Sequence, residues 1–209
     1  MKSLHLLFYP GQKIKFPPQR SPGWYIQRKS GLTASNIVKV INGSQNDKRK
    51  IILDKCGHEE PFYTNAACQH GIKHEDVAIQ IYEKRHKKKV YEFGCLKHPH
   101  FSFLGASPDG ITKDGIMVEI KCPYKRKISG KIIEQYYDQI QGQLEVCNLE
   151  ECDFLECEFE EYANEEEFIN DYEDKNIKIL TNNLKEKGII IEYRENSDDE
   201  YQYKYTSLN

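Results

Sequence analysis

Long apolar stretches are scarce in this sequence. The N-terminal segment LHLLF has five residues before Tyr9, fewer than the roughly 7–15 apolar residues in the core of a signal peptide. The chain also contains no run of about 18 consecutive apolar residues, the length that a membrane-spanning helix needs. We therefore expect an intracellular protein that makes no contact with a membrane.

A disulfide framework is also missing. The seven cysteines are odd in number and lie at unrelated spacings, which indicates a reducing compartment where thiols serve as small buried hydrophobic groups. Three Cys/His pairs offer a structural zinc site as the alternative, although their spacing is irregular for one. These pairs are Cys56 with His58, Cys68 with His70, and Cys95 with His98.

The chain lacks a strong net charge, at −3 in total, only because its two parts cancel. Residues 1–149 carry 24 Lys+Arg against 14 Asp+Glu, a net of +10, whereas residues 150–209 carry 6 against 19, a net of −13. A basic region of this kind is typical of proteins that bind polyanions. The acidic remainder either shields the opposite side or forms an ordinary solvated face.

The length predicts one domain. With 209 residues and 38% hydrophobic positions, the chain is long enough for one substantial core and short for two. Within this single domain, residues 1–23 are expected to form a Pro-rich N-terminal extension. Residues 195–209 are expected to form a polar tail without fixed structure.

The pattern of apolar and capping residues predicts an α/β fold with a central mixed β-sheet flanked by helices. Helices are predicted at 24–28, at 32–43 with Thr33 or Ser35 as its cap, at 65–89, at 131–147 and from about Glu165 to Lys187. Strands are predicted at 90–98, 101–107, 116–122, 152–162 and 188–194. The first two strands form a hairpin that leads into a turn at Pro108-Asp109-Gly110.

The segment GASPDGITKDGIMVEIKCP, residues 105–123, combines two acids and a lysine with an apolar strand. Because side chains alternate along a strand, Glu119 and Lys121 share one face and Val118 and Ile120 the other. The apolar face is expected to enter the core. Asp109 returns by its turn to the face that carries Glu119.

Two carboxylates this close repel one another unless a cation lies between them. A hard divalent ion with oxygen ligands, Mg²⁺ or Mn²⁺, is therefore predicted at Asp109 and Glu119. Lys121 beside it would hold a water molecule or stabilise charge that develops on a phosphate. The alternative is a surface hairpin with an ordinary Glu119–Lys121 salt bridge, in which Asp109 only favours its turn.

GASPDG followed by VEIKCP resembles the core of the PD-(D/E)xK nucleases, and in particular the lambda-exonuclease or YqaJ-like viral recombinase family. Three further blocks occur in the family's order: GWYIQRKSGLTASNI, QHGIKHEDVA and YYDQIQGQLEV. The resemblance covers residues 24–146 and implies a restriction-endonuclease-like core.

The resemblance also implies a catalytic set. The metal ligands would be Asp109, Glu119, the backbone carbonyl of Ile120, and Glu75. Lys121 would activate or position the attacking water, and Gln139 would hold the metal-bound water or a phosphate oxygen. For Glu75, a solvated surface position is the alternative.

By the same resemblance, Arg28 and Ser35 bind the 5′-terminal phosphate of DNA. A guanidinium fork binds phosphate through two hydrogen bonds, and a serine near a helix N-terminus adds a hydroxyl and backbone N–H groups. The alternative is that Ser35 only caps its helix and Arg28 only meets solvent. Trp24, the only tryptophan, is interpreted as a core residue rather than a base-stacking platform.

Basic residues around the motif are predicted to contact backbone phosphates without reading the base sequence. They are Lys88 in the segment EKRHKKK, and Lys125, Arg126, Lys127 and Lys131 directly after the motif strand.

These features predict a Mg²⁺-dependent deoxyribonuclease, with Mn²⁺ as a substitute, that degrades linear double-stranded DNA from 5′ to 3′ in recombination, repair or viral DNA processing. By resemblance, its partners are DNA ends, a single-strand annealing protein and further copies of the chain in a trimer. It would work in a bacterial cytoplasm or in the cytoplasm of a virus-infected cell. The alternatives are a structure-selective or restriction-like endonuclease with the same core, and a DNA-end-binding module without catalysis.

Overall fold

The computed structural model describes residues 16–58, 65–173, 186–196 and 201–208. Its helices are α1 (Pro22–Lys29), α2 (Ala34–Asn42), α3 (Gln45–Lys55), α4 (Ala66–His86), α5 (Glu134–Cys147) and α6 (Glu165–Glu173). Its strands are β1 (Leu32–Thr33), β2 (Val90–Tyr91), β3 (Leu96–Lys97), β4 (Leu104–Ala106), β5 (Gly110–Thr112), β6 (Met117–Lys121), β7 (Cys152–Glu156), β8 (Ile190–Tyr193) and β9 (Gln202–Tyr205). None of the helices in these ranges has both the length and the apolarity needed to span a membrane.

Polar caps fix where several helices begin. Ser21 precedes α1 and accepts a hydrogen bond from the Trp24 N–H (3.3 Å), and Asn65 caps α4 in the same way. Of the two caps considered for α2, the structure selects Thr33. Ser35 is therefore not needed to cap that helix.

Helix α3 was not predicted from the sequence, although a signal for it is present. Ser44 and Asp47 form a reciprocal capping box, in which the Ser44 N–H donates to the Asp47 carboxylate (2.9 Å) and the Asp47 N–H donates to Ser44 Oγ (3.2 Å). The capping box thus gives hydrogen-bond partners to two backbone N–H groups that the start of a helix otherwise leaves without them.

The mixed sheet is confirmed. β5 lies between β2 and β6, antiparallel to both, and β7 extends the sheet parallel to β6. A shorter sheet has β4 antiparallel to β3 and parallel to β1. The predicted turn is only a bend at Asp109, because Gly110 already begins β5 and pairs with Val118. A Cβ on Gly110 would lie 2.1 Å from Val90, so glycine permits this close strand approach.

β6 is buried on both of its faces. Val118 and Ile120 pack with Ala78 and Tyr82 of α4, as expected for the apolar face. The other face carries Glu119, which is 1% exposed and is directed toward α5. This burial excludes the surface-hairpin alternative for the motif.

The C-terminal elements differ from the sequence prediction. The strand predicted at 152–162 ends at Glu156, and the helix predicted from Glu165 is observed as far as Glu173; residues 174–185 lie outside the described part. Residues 202–205 of the predicted unstructured tail form β9, antiparallel to β8. The Tyr205 hydroxyl donates to the Lys73 carbonyl of α4 (3.0 Å), a long-range contact that holds this polar segment.

Tyr82 provides a test of the packing between α4 and the sheet. Its ring is buried, and its hydroxyl donates to the Asp153 carboxylate of β7 (2.6 Å); burial, followed by this hydrogen bond, raises the pKa of Tyr82. We expect Tyr82→Phe to lower the free energy of unfolding by about 1–2 kcal/mol, because this hydrogen bond is lost. Chemical denaturation measures the change, with Tyr137→Phe at an exposed position as the control. Equal losses in both variants would contradict the assignment.

Candidate active site

A cleft of about 200 Å³ opens where the β4–β5 connection, β6, α4, α5 and the N-terminal segment meet. Seven sequence-predicted residues line it: Arg28, Ser35, Glu75, Asp109, Glu119, Lys121 and Gln139. Polar residues that the sequence analysis did not single out also line it: Gln19, Arg20, Ser107 and Gln143. The fold thus gathers two predicted groups, one acidic and one around Arg28, in a single cavity.

The Glu119 carboxylate is held by several donors. Gln139 Nε2 donates to Oε1 (2.8 Å), Gln143 Nε2 donates to Oε2 (2.9 Å), and the Lys121 ammonium pairs with Oε1. The two glutamines are four residues apart in α5, so both reach the same side of that helix. Glu119 is therefore fixed in one orientation at the base of the cleft.

Asp109 lies at the bend before β5, and its Oδ2 accepts a hydrogen bond from the Ile120 N–H (2.7 Å). Burial raises the pKa of Asp109 well above its ordinary value, and the nearby charges of Glu119 and Glu75 raise it further. Lys121 and the Ile120 N–H act in the opposite direction without outweighing them. The acidic group is thus short of positive charge.

Lys121 is the cation closest to these acids. Burial alone would lower its pKa, but the charges of Glu119 and Asp109 outweigh that effect, so the pKa of Lys121 is raised. Its ammonium also lies 5.2 Å from the centre of the Tyr136 ring. The raised pKa favours the protonated form of Lys121, whose ammonium can bind a water molecule or an anionic oxygen.

Glu75 reaches the cleft from α4. Glu75 lies on the same face of the helix as Ala78 and Tyr82, which come three and seven residues later. Both of these residues pack on β6. Its carboxylate forms an ion pair with Arg20 at 2.6 Å, with side chains 24% and 32% exposed. Burial raises the pKa of Glu75, and Arg20 opposes that shift. Glu75 is thus a cleft residue, not a solvated surface residue.

A second group of polar side chains surrounds Arg28. Its Nη1 donates to Ser107 Oγ (3.3 Å) and its Nη2 to Ser35 Oγ (3.1 Å). Trp24 Nε1 donates to the same Ser107 oxygen (3.0 Å), and the guanidinium lies 4.5 Å from the centre of the indole ring. Trp24 is therefore half-buried beside Arg28 and orients it, rather than being the core residue that the sequence suggested.

The charge of Arg28 makes this group suited to an anion. Burial lowers the pKa of Arg28, because a partly buried guanidinium loses some of its contact with water. Within the described ranges, its hydrogen bonds go to neutral hydroxyls and no carboxylate pairs with it directly. A phosphate oxygen would supply the charge that is missing.

The five basic residues predicted to contact DNA lie outside the cleft lining. Lys125, Arg126, Lys127 and Lys131 follow β6, and Lys88 follows α4. Arg126 pairs with the Glu156 carboxylate, and Lys88 lies 3.3 Å from Asp114. The other three are exposed, and their contact with DNA stays a prediction.

Sequence reasoning missed Ser107, Gln143 and Arg20 for different reasons. Ser107 stands inside GASPDG, two residues before Asp109, and Gln143 stands one helical turn after Gln139. Both could have been found from those spacings. Arg20 carries no comparable signal, since only the fold brings it to Glu75.

The donor set of the cleft fits a hard divalent cation. Asp109, Glu119 and Glu75 supply carboxylate oxygens in a partly buried place where Arg20 and Lys121 partly offset their charge. Those two cations hold oxygens of Glu75 and Glu119. Across the described residues, no three His, Cys, Asp or Glu side chains are grouped closely enough to hold a metal ion as they stand, and this includes the Cys/His pairs considered for zinc.

Residues 23–150 match the family model described as a YqaJ-like viral recombinase domain. The chain belongs to this family. The matched residues include both groups of the cleft, apart from Gln19 and Arg20, which precede the match. Membership in the YqaJ-like family confirms the resemblance carried by the motifs.

Solved structures agree with the YqaJ-like assignment. The crystal structure of the alkaline exonuclease LHK-Exo from Laribacter hongkongensis is similar with a TM-score of 0.59 and 28% identity, covering 66% of this chain and 74% of that one. Its complex with dAMP gives a TM-score of 0.60 at 28% identity, covering 70% and 78%. The restriction-endonuclease-like α/β fold is therefore confirmed.

A viral relative is also similar. The uncharacterized protein R354 of Acanthamoeba polyphaga mimivirus is 35% identical over 222 residues, which cover 94% of this chain and 40% of R354. The chain thus spans less than half the length of this relative. The viral context expected from the sequence is consistent with this match.

Proposed function

We propose that this YqaJ-like protein is a Mg²⁺-dependent exonuclease that degrades linear double-stranded DNA from 5′ to 3′ without sequence preference. The observation that supports this most directly is the single cleft that holds both the acidic group and the Arg28 group. An enzyme that begins at a phosphorylated end needs an anion-binding group beside its hydrolytic group. The similarity to an alkaline exonuclease supports the same reaction class.

The acidic group would carry out the hydrolysis. Asp109, Glu119, Glu75 and the Ile120 carbonyl would hold Mg²⁺, or Mn²⁺ in its place, which when bound supplies charge neutralisation at the phosphate and a more acidic water. Lys121 binds the attacking water or a phosphate oxygen through its ammonium. The water oxygen forms a bond to phosphorus as the bond to the 3′ oxygen breaks in line; the water gives up a proton, and the leaving oxygen gains one to become a 3′-hydroxyl. Gln139 would keep Glu119 oriented during this step.

The Arg28 group would place the end of the DNA. The two terminal nitrogens of Arg28 each lie within hydrogen-bonding distance of a hydroxyl, Nη1 of Ser107 and Nη2 of Ser35. A terminal phosphate accepts from all of these donors, whereas a 5′-hydroxyl offers one oxygen without charge. The site would therefore favour 5′-phosphorylated ends.

The wider context follows from the same proposal. The exposed single strand would pass to a single-strand annealing partner, and copies of the chain would assemble as a trimer; the family resemblance supports both. The three exposed lysines after β6 would contact the duplex backbone. The reaction would take place inside the cell, where the DNA is.

Matched DNA substrates test the proposed function. Linear duplexes with either a 5′-phosphate or a 5′-hydroxyl, and a closed circular duplex, are incubated with the full chain and Mg²⁺. We expect the circle to remain intact and the phosphorylated duplex to be degraded about 10–100-fold faster than the hydroxyl form, since one or two charge-assisted hydrogen bonds are at stake. Labelled 5′ and 3′ ends report the direction of degradation.

The other outcomes separate the alternatives. Cleavage of the circle would identify an endonuclease with the same core. Retention of DNA without cleavage, in Mg²⁺ and in Mn²⁺, would identify an end-binding module. Loss of the 3′ label before the 5′ label would contradict the proposed direction.

A further inference from the structure

Arg20 enters the cleft through an unusual backbone conformation. Its φ is 63°, in the left-handed region that residues other than glycine, asparagine and aspartate rarely adopt. The preceding residue anchors the segment, because Gln19 Nε2 donates to the Pro108 carbonyl (2.9 Å) and the Gln19 N–H donates to the Glu92 carboxylate. The left-handed backbone at Arg20 is energetically unfavourable, and it occurs next to the β4–β5 connection that carries Asp109.

In this conformation, Arg20 forms an ion pair with Glu75. The Arg20 guanidinium lies 2.6 Å from a Glu75 oxygen, and it is the largest influence that opposes the effect of burial on the pKa of Glu75. Arg20 and Lys121 thus pair with two of the three carboxylates Glu75, Asp109 and Glu119, while Arg28, which lines the same cleft, bonds to hydroxyls. The protein itself thus supplies most of the charge balance that a divalent ion would supply.

We propose that Arg20 competes with the divalent cation for the Glu75 carboxylate and so weakens metal binding to the cleft. The competition has two parts: the guanidinium occupies a carboxylate oxygen, and its charge repels a second cation at short range. This inference rests on the proposed metal-dependent function. Arg20, which precedes the matched family domain, would thus raise the metal concentration at which the cleft is occupied.

Metal titration without DNA tests the competition directly. Mn²⁺ is titrated by calorimetry into the full chain and into Arg20→Asn, which removes the charge while asparagine tolerates the left-handed backbone. We expect the variant to bind Mn²⁺ more tightly, by on the order of tenfold, because a screened repulsion at short range is removed. Arg20→Lys, which keeps the charge, should bind Mn²⁺ nearly as the unaltered chain does.

A matched control is available on the same helix. Arg85 pairs with Glu186 at 2.6 Å, and it lies ten residues beyond Glu75, about 15 Å along the helix axis. Arg85→Gln removes an equivalent ion pair outside the cleft, so its Mn²⁺ affinity should not change. In the Glu75→Gln background, Arg20→Asn should increase Mn²⁺ affinity by less, because only the charge repulsion, and no longer the occupied carboxylate, is relieved.

Each result is informative. An unchanged or weaker Mn²⁺ affinity in Arg20→Asn would overturn the competition, as would an equal gain in Arg85→Gln or a gain that is undiminished in the Glu75→Gln background. Those results leave the proposed nuclease function intact if Mn²⁺ still binds and DNA is still degraded. Absence of Mn²⁺ binding in every variant, together with absence of cleavage, would overturn both the competition and the metal-dependent function.

Discussion

Asp109→Asn is expected to abolish DNA degradation while leaving DNA binding in place. The asparagine side-chain oxygen can still accept the Ile120 N–H bond, which is 2.7 Å long in the structure, so the bend before β5 should persist. The substitution removes one negative charge from a cleft that needs it to bind a divalent ion. Loss of several kcal/mol of charge stabilisation lowers the rate by about 10³-fold or more. Initial rates on a linear 5′-phosphorylated duplex measure this effect.

The control for this variant is Asp114→Asn. Asp114 lies in the same β5–β6 hairpin but is exposed and pairs with Lys88, so the rate should stay within about twofold, as for an ordinary surface substitution. Fluorescence anisotropy with an end-labelled duplex checks that Asp109→Asn still binds DNA. A rate for Asp109→Asn within tenfold of the unaltered chain would rule Asp109 out as a metal ligand.

Arg28→Lys is expected to remove the preference for a 5′-phosphate. Lysine keeps the positive charge but cannot present two N–H groups to one phosphate while contacting Ser35 and Ser107. We expect the rate on the phosphorylated duplex to fall by about 10–100-fold, which is the loss of one or two charge-assisted hydrogen bonds. The rate on the hydroxyl duplex should change little, so the ratio of the two rates approaches one.

The ratio separates end recognition from general DNA affinity. The control is Lys29→Gln, which removes the neighbouring positive charge in the last turn of α1. If this variant loses contact with the DNA backbone, degradation of both duplexes should slow equally. Ser107→Ala should lower the ratio in the same direction as Arg28→Lys, because its hydroxyl lies 3.3 Å from the guanidinium. A ratio that Arg28→Lys leaves unchanged would show that the cleft reads the 5′ end by other residues.

Local patterns in the sequence were enough to predict much of the site. The alternation along β6 placed Glu119 and Lys121 on one face and Val118 and Ile120 on the other, and helical spacing placed Glu75 on the packed side of α4. The mixed α/β sheet followed from the order of these elements. These predictions succeeded because each depends on periodicity within one strand or helix.

The predictions that failed concern contacts between segments far apart in the chain. β9 lies in the segment that the sequence predicts to be unstructured, because its polar residues gain a partner only when β8 and α4 come together. The sequence predicts Trp24 as a core residue, because its stacking on Arg28 and its hydrogen bond to Ser107 depend on how α1 packs against the β4–β5 connection. Local composition and periodicity do not indicate which distant segments of the chain will come into contact.

The sequence by itself determined the acidic motif, the strand that carries it, the helices around it and the family to which the chain belongs. Only the tertiary structure decided that the Arg28 group and the acidic group share one cleft, and that Arg20 lies on Glu75. The physical reason is that a motif fixes side-chain direction over a few residues, whereas the distance between two motifs is set by sheet pairing and helix packing. Arg20 illustrates the difference, since its position depends on a left-handed backbone and on Gln19 bonding to Pro108.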